Sequence, residues 1–342
     1  MRLGVHLGYW GAARPAGALE TILEAERLGY DSVWTAEAYG SDAFTPLAWW
    51  GSRTSRIRLG TAIAQLSARA PTATAMAALT LDHLSDGRFT LGLGVSGPQV
   101  VEGWYGQPYA RPLARTREYV DVVRQVLRRE APVTSPGPAY ALPLGGGTGL
   151  GRALLPTVHP LRADLPVHLA AEGPKNIALA AELADGWLPL FSSPRFDAEH
   201  RALLAEGFAR RDRRLLPAEA FEVSATVPVV VDDDVERAAD RVRPFVALYL
   251  GGMGAPGANF HRAAVERLGW VDQCVEIAGL WAEGRREEAA AAVPTSLVQD
   301  IALVGPEEAL RDRLAAWEET AVTSILVQGD RRALRTMAEL VL

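Results

Sequence analysis

Residues Arg88–Gly103 read RFTLGLGVSGPQVVEG, and whether their glycines cradle a phosphate or pack a strand decides the fold. Phe89, Leu91 and Leu93 alternate with Thr90, Gly92 and Gly94, the period of a strand. Gly92, Gly94 and Gly97 fit G-x-G-x-x-G, the spacing by which a dinucleotide-binding turn admits a pyrophosphate at a helix N-terminus. That fingerprint requires a helix directly after the third glycine and a place at the start of a nucleotide-binding half. Here Pro98 follows, helical periodicity is expected to resume only near Leu113, and three strand–helix units come first. The stretch is therefore read as a strand of another α/β fold, ending in a glycine-rich active-site loop.

Working outward, the same alternation of strand and helix runs the length of the chain. Strands are expected at Leu3–Gly8, Ser32–Glu37, Arg58–Gln65, Phe89–Val95, Pro166–Ala171, Gly186–Phe191, Phe221–Val231 and Ser324–Gly329. Helical faces fall between them at Ala18–Leu28, Phe44–Ser52, Thr72–Leu84, Leu113–Arg129, Lys175–Asp185, Arg195–Arg214, Val235–Leu250, Glu307–Glu318 and Arg331–Leu342. Asp232, Asp233 and Asp234 supply acidic caps to one of these helices. Eight strands alternating with helices predict a (β/α)₈ TIM barrel, with an open doubly wound sheet as the competitor. Two excursions, at about 131–165 and 251–294, account for the length beyond the usual barrel of roughly 250 residues. The first carries six prolines and the run Gly145–Gly151, read as a mobile loop or extended hairpin. The whole chain, 1–342, is read as a single domain with these insertions.

Composition narrows the class. A net charge of −6 and a pI near 5.6 argue against nucleic acid as a partner. The single cysteine, Cys274, excludes an internal disulfide and a cysteine-based metal cluster. No apolar stretch resembles a signal peptide or membrane span, so the chain reads as cytoplasmic, with no membrane partner. Lys175 is the only lysine among 35 basic residues.

In a barrel, chemistry is built from residues at the C-terminal strand ends. Those ends hold aromatics, glycines and few titratable groups, with no metal-ligand spacing and no G-x-S-x-G. A site without nucleophile or metal suits a bound organic cofactor that carries the reaction itself. The segment Ala170–Asn176 runs from a strand end through Gly173-Pro174 into a helix N-terminus. Its free N–H groups, the helix dipole and Lys175 together predict a phosphate contact.

LGYDSVWTAEAYGSDAFTPLAW (Leu28–Trp49), RIRLGTAIAQ (Arg56–Gln65), DGRFTLGLGVSGPQVVEGWYG (Asp86–Gly106), RPLARTREYV (Arg111–Val120) and HLAAEGPKNIALAAELADGWLP (His168–Pro189) resemble one family. It is the luciferase-like monooxygenase superfamily, and within it the coenzyme F420 (deazaflavin) oxidoreductases of actinobacteria. LVGPEEALRDRL (Leu303–Leu314) adds weaker support. The resemblance implies a TIM barrel with deazaflavin across its C-terminal mouth and a non-prolyl cis peptide at Ala62-Ile63 or Ile63-Ala64. It assigns cofactor binding to Glu37, Ala62, Ile63, Ala64, Ser96, Gly97, Gly173, Pro174, Lys175 and Asn176. Glu37, Tyr39 and Tyr9 are the candidate catalytic proton donors, and Trp10, Trp104 and Tyr105, with Tyr39, the candidate substrate-pocket walls. Ala38 stands where bacterial luciferases and sugar-phosphate dehydrogenases of this group place a catalytic histidine, a departure from their mechanisms. The implied activity is F420-dependent hydride transfer to or from a small organic substrate by a homo-oligomer, most simply a dimer. An FMN-dependent monooxygenase and a non-catalytic flavin-binding barrel are the alternatives.

Overall fold

The computed structural model describes residues 1–254 and 259–342; residues 255–258, within the second expected excursion, lie outside the described residues. The strands are β1 (Arg2–His6), β2 (Ser32–Thr35), β3 (Arg58–Thr61), β4 (Ala64–Gln65), β5 (Phe89–Gly94), β6 (Val167–Ala170), β7 (Gly186–Leu188), β8 (Glu222–Val231), β9 (Leu303–Gly305) and β10 (Ser324–Gln328). All pairings between them are parallel. β1 pairs with β2 on one side and β10 on the other, and β10 pairs with β8. The order β1-β2-β3-β5-β6-β7-β8-β10 thus closes on itself. This is the expected (β/α)₈ barrel, and its eight staves are the eight strands read from the sequence.

Helices cover the outside: α1 (Ala18–Leu28), α2 (Phe44–Gly51), α3 (Pro71–Leu84), α4 (Pro98–Gly103), α5 (Pro112–Arg128), α6 (Pro174–Leu183) and α7 (Asp197–Phe208). After β8 come α8 (Val235–Asp240), α9 (Arg243–Ala247), α10 (Phe260–Arg267), α11 (Val271–Ala282), α12 (Arg286–Ala291) and α13 (Thr295–Ile301). The chain ends with α14 (Glu307–Glu318) and α15 (Arg331–Val341). α3, α4, α5 and α6 each open on proline, whose missing N–H is one that a first turn leaves unbonded anyway.

Three expectations about helices are corrected. α4 begins at Pro98, immediately after Gly97, so helix does not wait for Leu113. Proline, read as a break, is instead the N-terminal residue of a six-residue helix too short to show periodicity. The helix expected at Arg195–Arg214 ends at Phe208, and its arginine run turns back: Arg211 donates to the carbonyls of Ala181 and Leu216. The helix expected at Val235–Leu250 is broken into α8, α9 and a wide turn, Leu248–Gly252. Its acidic start holds: Asp234 accepts from the N–H groups of Glu236 and Arg237.

Two glycines of the opening stretch, Gly92 and Gly94, are packing glycines. A Cβ on Gly92 would lie 1.8 Å from the carbonyl oxygen of Thr61, and one on Gly94 2.6 Å from Ile63 Cδ1. β5 therefore approaches the end of β3 more closely than any side chain would permit. The barrel interior is filled by Trp34, Leu188 and Leu326. Trp34 donates its Nε1–H to Ser32 and stacks on His168, ring centres 5.7 Å apart.

β8 is longer than its neighbours, and its far half leaves the ring to pair with β9. Around that extension α8–α13 form a second apolar cluster, with Val246, Leu250, Ile277 and Leu297 at its centre. Residues 131–165 hold one antiparallel bridge, Ser135–Leu142, among otherwise irregular chain. They are tied back to the barrel by Arg162, which pairs with Asp82 at 2.5 Å and donates to Phe89 O. Among the described residues no helix is long and apolar enough to cross a membrane.

Candidate active site

The C-terminal ends of the strands enclose a cavity of about 730 Å³. Every barrel strand except β10 contributes to its wall or its rim. The remaining side is closed by the second cluster, through Tyr249, Met253, Phe260 and His261.

The floor lies where β3 gives way to β4. The Ala62-Ile63 peptide is cis, as the sequence resemblance implied, and both residues line the cavity. His6 fixes this bend from β1. Its Nδ1 accepts from Gly8 N–H at 3.1 Å, which leaves the proton on Nε2 to be donated to Ala62 O at 3.2 Å. Burial lowers the pKa of this imidazole, so it stays neutral.

Glu37 is 4 % exposed and saturated. Arg69 donates to both of its oxygens, at 2.7 and 2.9 Å, and the Gln65 N–H donates to Oε2 at 2.9 Å. A buried carboxylate in a bidentate pair with arginine is an anchor for the β2 and β3 loops. The neighbouring Gln65 spends its amide N–H on Glu37 O, while its Oε1 is buried on the wall without a partner among the described residues. That atom is a ready acceptor for a ligand N–H.

Another part of the wall is the segment expected to meet a phosphate, Gly173–Asn176. Gly173 is extended and α6 starts at Pro174. The Lys175 N–H finds no acceptor among the described residues, and the Lys175 side chain is exposed without an ion pair. A Cβ placed on Gly173 meets nothing within 4 Å, so the cradle is open to a phosphate. Ser96 and Gly97 stand on the wall between floor and cradle, Ser96 at φ 59.

Several predicted residues are brought together here: Tyr9, Glu37, Tyr39, Ala62, Ile63, Ser96, Gly97, Gly173, Pro174, Lys175 and Asn176 all line the cavity. Four do not. Ala64 faces the apolar core behind β4. Trp10 packs against Trp50, ring centres 6.1 Å apart. Trp104 points to solvent at the end of α4, 64 % exposed. Tyr105 donates to Ala38 O at 3.1 Å and braces the loop after β2 from outside. Nearness to a strand end does not aim an aromatic side chain into the pocket, because loops turn side chains without a fixed period.

The sequence reading missed Glu172, Tyr249 and His261. Tyr249 is 3 % exposed, its ring edge-on to His261 at 4.8 Å, and its hydroxyl donates to Tyr9 OH at 3.4 Å. Burial pushes the phenol of Tyr249 up and the imidazole of His261 down to about 4. Glu172, the residue before the cradle, accepts from Leu190 N–H at 3.0 Å, and burial raises its carboxyl to about 7. Its place between strand β6 and Gly173-Pro174 was the available signal.

The sequence pattern of the luciferase-like monooxygenases matches residues 2–324, nearly the whole barrel. The chain belongs to that family. It is accordingly an oxidoreductase. A family relative from Mycobacterium tuberculosis, named "Putative coenzyme F420-dependent oxidoreductase", is 56% identical, with 100% of this chain and 99% of that one covered. Among solved luciferase-like folds, the coenzyme F420 dependent tetrahydromethanopterin reductase of Methanopyrus kandleri superposes with a TM-score of 0.82 at 23% identity, covering 99% and 98% of the two chains. An F420-dependent secondary alcohol dehydrogenase, in complex with an F420–acetone adduct, gives 0.79 at 16% identity over the same shares. Identities this low speak for the fold alone.

Proposed function

We propose that this luciferase-like chain transfers a hydride between coenzyme F420 and a small, uncharged organic carbonyl compound or its alcohol. The observation that carries the reading is one continuous cavity joining the Ala62–Ile63 floor to the Gly173–Asn176 cradle. It is supported by a 56%-identical relative whose name is F420-dependent.

The residues present fit such a cofactor. An open glycine at a helix N-terminus beside an unpaired lysine suits the phosphate of its tail. The orphaned Gln65 Oε1 suits an N–H on a flat heterocycle, and Ala62 and Ile63 offer that ring an apolar bed. When bound, a reduced deazaflavin supplies a hydride, two electrons at once. The chain's own part is to hold, to keep dry and to move a proton. His6 and Glu37 hold the bend beneath the ring, and the apolar wall of Leu188, Leu190 and Met253 excludes water from the reacting end.

The wall also selects the substrate. Among the described lining residues Lys175 is the one cation, and it stands at the cradle. Glu37 is already neutralised by Arg69. The rest of the wall is mostly apolar and aromatic, with Glu172 and a few neutral polar groups such as Gln65, Ser96 and Thr226, a place for an uncharged molecule that can take a hydrogen bond.

Titration of the purified protein with F420 and with FMN, followed by fluorescence, tests the reading. Tight F420 binding with weaker FMN is the expected result. Equal or tighter FMN binding would transfer the reading to an oxygen-using monooxygenase, binding without turnover of any substrate would leave a non-catalytic flavin-binding barrel, and binding of neither would overturn the reading.

A further inference from the structure

Hydride transfer to a carbonyl is only half of a reduction. The hydride forms the new C–H bond, the C=O π bond breaks, and its electron pair moves to oxygen, which must take a proton to become a hydroxyl. The two electrons come from reduced deazaflavin; the proton must come from the protein. We propose that Glu172 supplies that proton and recovers it when the reaction runs from the alcohol. This rests on the hydride-transfer reading above.

The geometry reaches Glu172 by elimination among the proton-bearing groups on the cavity wall. His6 has both nitrogens committed, to Gly8 and to Ala62. Glu37 is saturated by Arg69 and Gln65. Lys175 stands at the phosphate cradle, and the His261 ring is packed against Tyr249 and Phe191. Tyr9, Tyr109 and Tyr249 are phenols that desolvation raises further from neutrality, and Tyr39 is a phenol 59 % exposed at the rim.

Glu172 differs on each count. It lines the cavity and sits one residue before the cradle, so the acid and the cofactor-holding backbone share one rigid loop. The Leu190 N–H holds Oε1, and among the described residues no guanidinium or ammonium pairs with the carboxyl. Arg267 donates instead to the Glu172 backbone carbonyl at 3.0 Å and forms an ion pair with Glu199 at 3.5 Å. Burial is the first cause of a pKa raised to about 7, opposed by the Leu190 and Phe191 amides and the charge of Arg267. An acid that titrates near neutrality is one that can both give and take. The groups facing it are Arg267 and His261 from α10, Tyr249 from the turn after α9, and Lys175 from α6. His261 stays neutral, its own pKa near 4. The Tyr249 hydroxyl is turned to Tyr9, donating to its OH at 3.4 Å.

Infrared difference spectra of carbonyl-labelled cyclohexanone added to the wild-type protein, Glu172→Gln and Glu172→Leu test this without turnover. In the wild type at pH 6 the probe's C=O band shifts to lower frequency, because an acid O–H polarises it. That shift is lost by pH 8, with a midpoint near 7. In Glu172→Gln, where an amide N–H donates at every pH, a smaller shift persists without a midpoint. In Glu172→Leu it is gone. A pH-dependent shift that survives in Glu172→Leu, or no shift in the wild type at pH 6, overturns the assignment. Parallel F420 titration of the wild type separates the two readings. Loss of F420 binding with the infrared pattern intact removes the hydride reading and leaves the acid, and the converse removes the acid alone.

Discussion

Lys175 and Glu172 lie three residues apart on one loop and meet opposite electrical fates. Lys175 is exposed beside the positive end of α6, a poor place for a cation unless an anion joins it. Lys175→Ala should therefore weaken F420 binding about ten- to a hundredfold, the worth of one charge-assisted contact. The melting temperature of the cofactor-free protein should hold or rise slightly. Raised salt should narrow the affinity gap, since an exposed contact is screened. Unchanged affinity in a fluorescence titration would make Lys175 an ordinary surface lysine. Glu172 binds its proton more tightly folded, near pH 7, than unfolded, near 4.5. Its contribution is most favourable below pH 4.5 and is lost as pH rises through 7, by about 1–3 kcal/mol. Glu172→Gln, fixed neutral, should melt higher than wild type at pH 8 and no higher at pH 4. A constant difference at both pH values would show that the carboxyl is not proton-linked.

At the scale of elements, the two glycine loops of the barrel mouth make opposite demands. Gly92 lies in the β3–β5 seam, where an added Cβ meets a backbone oxygen that cannot step aside. Gly92→Ala should be severely destabilising, above about 4 kcal/mol, or should fail to give soluble protein. Gly173, at the start of α6, has open space around it and an ordinary φ of −87. Gly173→Ala should fold with an unchanged melting temperature and lose cofactor affinity, because the new methyl occupies the cradle. Circular dichroism melts and F420 titration on the pair separate a packing glycine from a binding glycine. If Gly92→Ala is tolerated, the close approach of β5 to β3 is not what the site depends on.

The whole molecule is built around buried neutral imidazoles. His168 stacks on Trp34 inside the barrel, His200 packs between Trp187 and Phe196 behind it, and His261 lies in the second cluster. Burial lowers all three to about 4 from an ordinary 6.5. A lowered pKa means that the unfolded chain takes protons first as the solution is acidified. Stability is therefore complete above pH 6.5 and falls as pH drops towards 4, by at most about 3 kcal/mol for each histidine. Three such groups approach the whole stability of a typical domain. Guanidinium melts at pH 7, 5.5 and 4 should show the midpoint falling steadily, with little structure left near pH 4. A midpoint independent of pH would mean that the histidines are hydrated or paired in solution.

Strand alternation and helical faces were enough to place all eight barrel staves, because those signals are local and repeat. The helix start at Gly173–Pro174 was legible for the same reason: it is built from consecutive residues. The short helix at Pro98 and the strand Leu303–Gly305 were not, since six and three residues carry too little periodicity. The protonation of Glu172, the saturation of Glu37 and the pairing of Tyr9 with Tyr249 across 240 positions belong to the tertiary structure alone. Sequence fixes which groups exist and the local backbone they ride on. Which of them share a wall, and how much water each keeps, depends on distant segments packing together, and it is that burial that sets their charge.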